Sequence, residues 1–200
     1  MRNIIGILFV LLTSLSVGAQ RVITDFEALQ DCDLLFHVPE KGNSITDVTS
    51  GTDRISADHV AMFLRIADVP MVIDATHRGV AVRRADSLLA EKGRYICLRV
   101  GKINKCQTIK NALGYVGLPY DYKFHADDTE IYCSELIQKS YVGTDGKKLF
   151  NTISMSFHDA TGKVTEYWKD YYRTRWNEDV PEGEEGTNPA DIYVQAVRMR

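Results

Sequence analysis

The stretch TEIYCSELIQKSY, Thr129–Tyr141, places a cysteine where a helix should begin. Leu136 and Ile137 follow Cys133 at i+3 and i+4 and share its helical face, while Gln138 and Lys139 point elsewhere. A helix over 131–142 therefore turns the thiol toward the body of the domain, at the helix's positive end. Unpaired N–H groups there stabilise an anion, which favours a thiolate and leaves a donor for an oxyanion. A core thiol or half of a disulfide are the competing readings, and composition excludes neither.

The setting of that cysteine depends on the first residues of the chain. Arg2 followed by the apolar run Ile4–Leu12 and by Val17-Gly18-Ala19 has the form of a secretory signal peptide over residues 1–19, with cleavage before Gln20. The run is too short for a membrane span, and no cysteine follows it closely as a lipid attachment site would require. Its removal takes Arg2 away and leaves the chain one charge more acidic than its formal −3, so nothing electrostatic points to nucleic acid. Residues 20–200, with 44% hydrophobic residues in the whole chain, suit one exported domain, periplasmic or secreted. No transmembrane span is expected in the mature chain, and its oligomeric state is left open.

Export permits disulfides, and Cys32, Cys97, Cys106 and Cys133 allow three full pairings. Cys97, in RYICLRV, reads as a buried small hydrophobe. No CxxC, HxH or HExxH pair is present to seed a metal site, and no cofactor is expected.

Along the chain, residues 21–31 read as a short helix, DLLFHV (33–38) as a strand, and the polar stretch GNSITDVTSGTDRIS as strand and loop. HVAMFLRI (59–66), MVIDAT (71–76) and GVAVRR (79–84) are three strands joined by breaks short enough for hairpins. ADSLLAEKG is a short helix and RYICLRVG a further strand. KCQTIKNALGYVG (105–117) is a helix with Ile109, Leu113 and Val116 on one face. EYWKDYYRTRW suits a partly buried helix, and IYVQAVRM reads as a final strand. The order describes an α+β domain: a central antiparallel sheet or meander with helices on either side.

A thiolate nucleophile needs a base, and the base needs an orienting polar group. His59 opens the apolar strand DHVAMFLRI on one face with Ala61 and Phe63. Asp74 lies within VIDA, where a carboxylate needs a partner, and a hairpin brings it beside His59. For His59 a satisfied core histidine is the alternative; for Asp74 it is a strand-end residue bonding loop amides. His37, His77, His125 and His158 sit in or beside loop-like segments and read as surface histidines, His77 being the strongest rival base. Ser134 has no GxSxG elbow around it.

The order DLLF, DHVAMFL, VIDA, GLPYDYKF and IYCSELI resembles the permuted papain-like cysteine hydrolases, in particular the YiiX/YebB-like branch of the NlpC-type superfamily. The resemblance runs from about residue 31 to 142, with a weaker echo in EGEEGTNPAD. In ordinary papain-like enzymes the cysteine helix comes before the histidine strand; here His59 precedes Cys133, as circular permutation gives. The resemblance implies Cys133 as nucleophile, His59 as general base and Asp74 as the third group. Two positions depart from the pattern: Ala61 stands where relatives often have glycine, and Asp74 where they often have glutamate, one methylene longer. Tyr120, after Pro119, would line the cleft or give a second oxyanion donor, or else pack on the core as a turn aromatic. Glu135 would cap or brace the helix start.

The activity expected is hydrolysis of an amide or related acyl bond through a thioester. For an exported member, a cell-wall peptide such as a peptidoglycan fragment is the first substrate to consider. An N-acyl lipid, with hydrolysis or acyl transfer, is the second. The reading from another class is a non-catalytic binding module, with Cys133 oxidised to Cys106 or Cys32.

Overall fold

The computed structural model describes residues 21–49, 55–125 and 127–199, so the signal-peptide reading of residues 1–19 lies outside the described residues. In chain order the elements are β1 (Arg21–Val22), β2 (Leu34–Val38), α1 (Ser44–Thr49), β3 (His59–Ile66), β4 (Val69–Thr76), β5 (Gly79–Arg84) and α2 (Asp86–Leu89). They are followed by β6 (Arg94–Leu98), α3 (Lys105–Gly114), α4 (Cys133–Ser140), β7 (Ile153–Ser154), α5 (Glu166–Trp176), β8 (Glu185–Gly186) and α6 (Pro189–Arg198).

Strands β2 to β5 form the expected meander, and β6 and then β1 extend it beyond β2, antiparallel throughout. The β3–β4 turn is Ala67-Asp68, both left-handed, the conformation that matches the twist of a two-residue hairpin. At the β4–β5 turn Gly79 has φ +87°, and a Cβ there would stand 2.4 Å from the Leu118 carbonyl oxygen, so only glycine fits.

Alternation gives the sheet two buried faces. Phe36, Val60, Met62 and Ile73 pack with Leu136 and Ile137 of α4 and with Tyr193 of α6. Leu35, Ala61, Phe63 and Val72 pack on the other side, with Leu88 of α2. Leu136 and Ile137 are fully buried, each worth about 1.5–3 kcal/mol of apolar burial. That packing seats the cysteine helix against β3 and β4. Among the described residues no helix is long and apolar enough to cross a membrane.

Several local expectations are corrected. Residues 21–31 begin with β1 and continue as turns. The polar stretch after Gly42 contains α1, because the Asn43 side chain accepts from the Ile45 and Thr46 amides as a cap. The apolar run IYVQAV lies in α6: Asn188 caps it, Pro189 opens it, and Ile192, Tyr193 and Ala196 form its buried stripe. Its branched and aromatic residues suggest a strand, but the cap and the packing override that preference. α3 ends at Gly114; its buried residues are Thr108 and Ala112, while Leu113, and Val116 beyond its end, are exposed. Cys97 is half-buried.

Candidate active site

Cys133 is the first residue of α4. Tyr132 supplies no side-chain cap, and the buried Glu135 carboxylate lies near enough to the Tyr132 amide to be favoured by it. That arrangement braces the helix start and leaves first-turn N–H groups available to an anion. The tail completes the setting. The Thr187 amide donates to Tyr132 Oη at 2.9 Å, and Thr187 Oγ1 donates to the buried Ser134 Oγ at 3.0 Å. The echo in EGEEGTNPAD is therefore physical: this segment lies against the cysteine.

His59 opens β3, and its Nε2 lies 2.9 Å from Asp74 Oδ2. Continuing the β3–β4 register one residue past Met62↔Ile73 sets Asp74 opposite Ala61, diagonal to His59 on the same face. Cys133 lies near enough to the His59 ring to raise its pKa, and with Nε2 engaged by Asp74, Nδ1 is the ring nitrogen left free. Cys133 packs with the residues of the opposite face, so the two meet at the end of the sheet, where β3 begins.

Asp74 is fully buried, and burial alone would raise its pKa. The hydrogen bonds from His59 and from Arg83 outweigh that and hold it below the usual range. Arg83 binds it with Nε 3.1 Å from Oδ1 and Nη2 2.7 Å from Oδ2. Burial opposes a charge on His59, yet the bond to Asp74 and the nearby Cys133 push its pKa up to about 10. A shorter acid than glutamate thus reaches the ring. Arg83 had no sequence signal as a site residue; its one hint was alternation with Ala81, which puts it on the Asp74 face.

Tyr120 arrives through the GLP turn, whose Leu118 carbonyl accepts from the Val80 amide at 2.9 Å, while the Pro119 carbonyl accepts from the Ile131 amide at 3.0 Å. It lines two hollows, one containing Cys133 and the other His59. One, of about 520 Å³ counting the open space at its mouth, is mostly apolar, walled by Ile45, Val48, Phe124, Met155, Phe157 and Trp168, with Asp58 and Asn188 also in its lining, and it opens on Cys133. The other, of about 1050 Å³ counting the open space at its mouth, is a cleft that contains His59 and carries the charged side chains Arg78, Arg83 and Glu91 in its lining. Burial and the nearby Cys133 keep the Tyr120 phenol neutral, with a pKa well above 10. The walls from α1 and from Met155–Phe157 were invisible in the sequence; Trp168 was legible only as part of an aromatic stripe.

All four cysteines are free, so Cys133 is not joined to Cys106 or Cys32. Burial raises the Cys32 and Cys97 thiols to about 12. His37 is a correction: it is buried, with Nδ1 2.6 Å from Asp58 Oδ1 and Nε2 donating to the Lys92 carbonyl at 2.8 Å. His77 is exposed in the β4–β5 turn.

A cysteine on a helix N-terminus, packed against a sheet that supplies a histidine and then an acid from the next strand, defines the papain-like class in permuted order. The family model of the permuted papain-like amidase enzymes (YaeF/YiiX, C92 family) matches residues 29–196, and the chain belongs to that family. Among solved structures, a crystal structure described as the metalloprotein YiiX from Escherichia coli O157:H7 is similar, with a TM-score of 0.64. It is 20% identical and covers 84% of this chain and 91% of its own. No curated protein matches the chain significantly. Among the described residues no group of three or more His, Cys, Asp or Glu side chains is arranged to hold a metal ion. The acid nearest His59 is instead committed to that ring and to Arg83.

Proposed function

We propose that the protein is an exported cysteine amidase with Cys133 as nucleophile, His59 as general base and Asp74 as the group that orients the ring. The observation carrying this is the hydrogen-bonded run Arg83–Asp74–His59, with Cys133 near enough to the ring to raise its pKa. His59 takes the thiol proton, and the sulfur attacks the carbonyl carbon, forming C–S. The Cys133 amide, with Tyr120 opposite, holds the oxyanion. Collapse breaks C–N, the amine leaving with the proton from His59; water then splits the thioester into an acid and the free thiol.

The apolar hollow beside Cys133 favours an acyl half that is itself apolar, an acyl chain or a bulky aliphatic residue, over a wholly polar cell-wall peptide. A free Cys133 weighs against the non-catalytic binding module.

Mild iodoacetamide at neutral pH, with the modified cysteines mapped by mass, tests the assignment. Cys133 is expected to react rapidly, and His59→Ala to slow it at least about tenfold. Cys106, which is exposed, is the internal control. Labelling of Cys133 that is no faster than Cys106 and indifferent to His59 removes the hydrolase reading.

A further inference from the structure

The two hollows have different tasks if Cys133 and His59 are the reacting pair, and this inference rests on that reading. In acyl transfer from an amide the acyl half ends on sulfur, and the amine half leaves with a proton from the imidazole. The hollow beside the thiol therefore receives the acyl half, and the cleft beside the ring receives the amine half. Tyr120 lines both, at the place where the scissile bond must lie.

The charges in the amine-side cleft are unequal. Its lining includes His77, Arg78, Arg83 and Glu91. Arg83 is spent on Asp74 and, at 3.3 Å, on Glu91. The second Glu91 oxygen accepts from Tyr95 Oη at 2.6 Å. Among the described residues the Arg78 guanidinium and the His77 ring have no side-chain partner, so the cleft keeps a cation in surplus. That cation sits on an anchored turn. Gly79 is seated against the Leu118 carbonyl, the Val80 amide donates to that same oxygen, and Tyr122 Oη donates to the His77 carbonyl at 3.4 Å.

We infer that Arg78, with His77 beside it, reads an anionic group, a carboxylate or a phosphate, on the amine half of the substrate. A guanidinium presents paired N–H groups to the two oxygens of such an anion. The preferred substrate is an amide with an apolar acyl half and an acidic amine half.

The probe is a set of three decanoyl amides, of glycine, of glycinamide and of phosphoethanolamine, titrated calorimetrically into the full chain carrying Cys133→Ala. The glycine conjugate should bind about five- to tenfold tighter than the neutral glycinamide, with the gap narrowing at high salt. Adding Arg78→Gln should close that gap by weakening the anionic conjugates alone, and Arg78→Lys should restore part of it. If the phosphate conjugate binds tighter than glycine, the amine half bears a phosphate; the reverse order indicates a carboxylate. Equal binding of anionic and neutral conjugates, no binding of any, or an equal loss of both with Arg78→Gln overturns the inference. Mass analysis of the wild-type chain with the same conjugates separates the two claims. Selective binding without a thioester adduct or turnover leaves the anion site standing and removes the hydrolase reading.

Discussion

Asp74 Oδ2 lies 2.9 Å from His59 Nε2 and 2.7 Å from Arg83 Nη2, so one fully buried carboxylate oxygen is shared by the imidazole and a guanidinium. The arrangement fixes the ring from behind, leaves its other nitrogen free, and holds the buried acid ionised.

Asp74→Asn keeps the shape but removes the charge. Turnover is expected to fall by about 10²- to 10⁴-fold, with KM changing far less. The His59 pKa, raised to about 10 in the native protein, should drop, moving the alkaline limb of the rate profile to lower pH. The same shift governs stability. With a folded pKa above the unfolded value of about 6.5, the contribution of His59 is complete below that pH and is lost as pH rises through about 10. A pH series of turnover and denaturant melts checks both.

Arg83→Met strips Asp74 of its cation while filling similar volume. Removing one partner of a buried pair costs about 3–5 kcal/mol, at the lower end here because Arg83 is partly exposed. Urea melts should show that loss, and turnover should fall together with it as Asp74 becomes easier to protonate. An unchanged midpoint would assign Arg83 to the surface only.

Glu135 is buried at 4% exposure, with Oε1 2.8 Å from Lys139 Nζ and Oε2 without a partner among the described residues. Burial raises its pKa to about 7 against the bond from Lys139. A carboxyl whose folded pKa is raised lowers stability as pH climbs from its unfolded value of about 4.5 to about 7. Glu135→Gln should flatten that slope, and by up to about 3 kcal/mol, less the lost ion pair, should stabilise the protein at pH 8 relative to pH 5. Melting curves at the two pH values give the answer.

Val48 stands half-buried on the α1 wall of the apolar hollow. Val48→Phe should fill space there and slow long acyl amides about tenfold or more while sparing an acetyl amide. A chain-length series of amides measures it, and equal slowing at every length would place the acyl chain elsewhere.

The Cys133 helix, the three central strands, and His59 and Asp74 as neighbours were legible because each rests on a local rule. Those rules are 3.6-residue spacing behind Cys133, alternation from His59 to Phe63, and a hairpin that sets the VIDA acid beside the histidine strand. α6 was not legible, since IYVQAV satisfies a strand preference until the Asn188 cap and contacts with the sheet decide otherwise. Nor was the burial of His37, whose fixed position depends on Asp58 and on the carbonyl of Lys92, far along the chain.

By itself the sequence determined the period and chemistry of each segment, and through them the α+β class, the chain order of the candidate site residues and the kind of reaction to expect. Only the tertiary structure decided that Arg83 shares the buried acid, that α1 and Trp168 wall a mostly apolar hollow, and that Arg78 is left as the cation in surplus in the neighbouring cleft. The division has a physical cause. Helix spacing and strand alternation are set by neighbours a few residues apart, whereas charge compensation and the shape of a hollow are sums over segments that only the folded chain brings together.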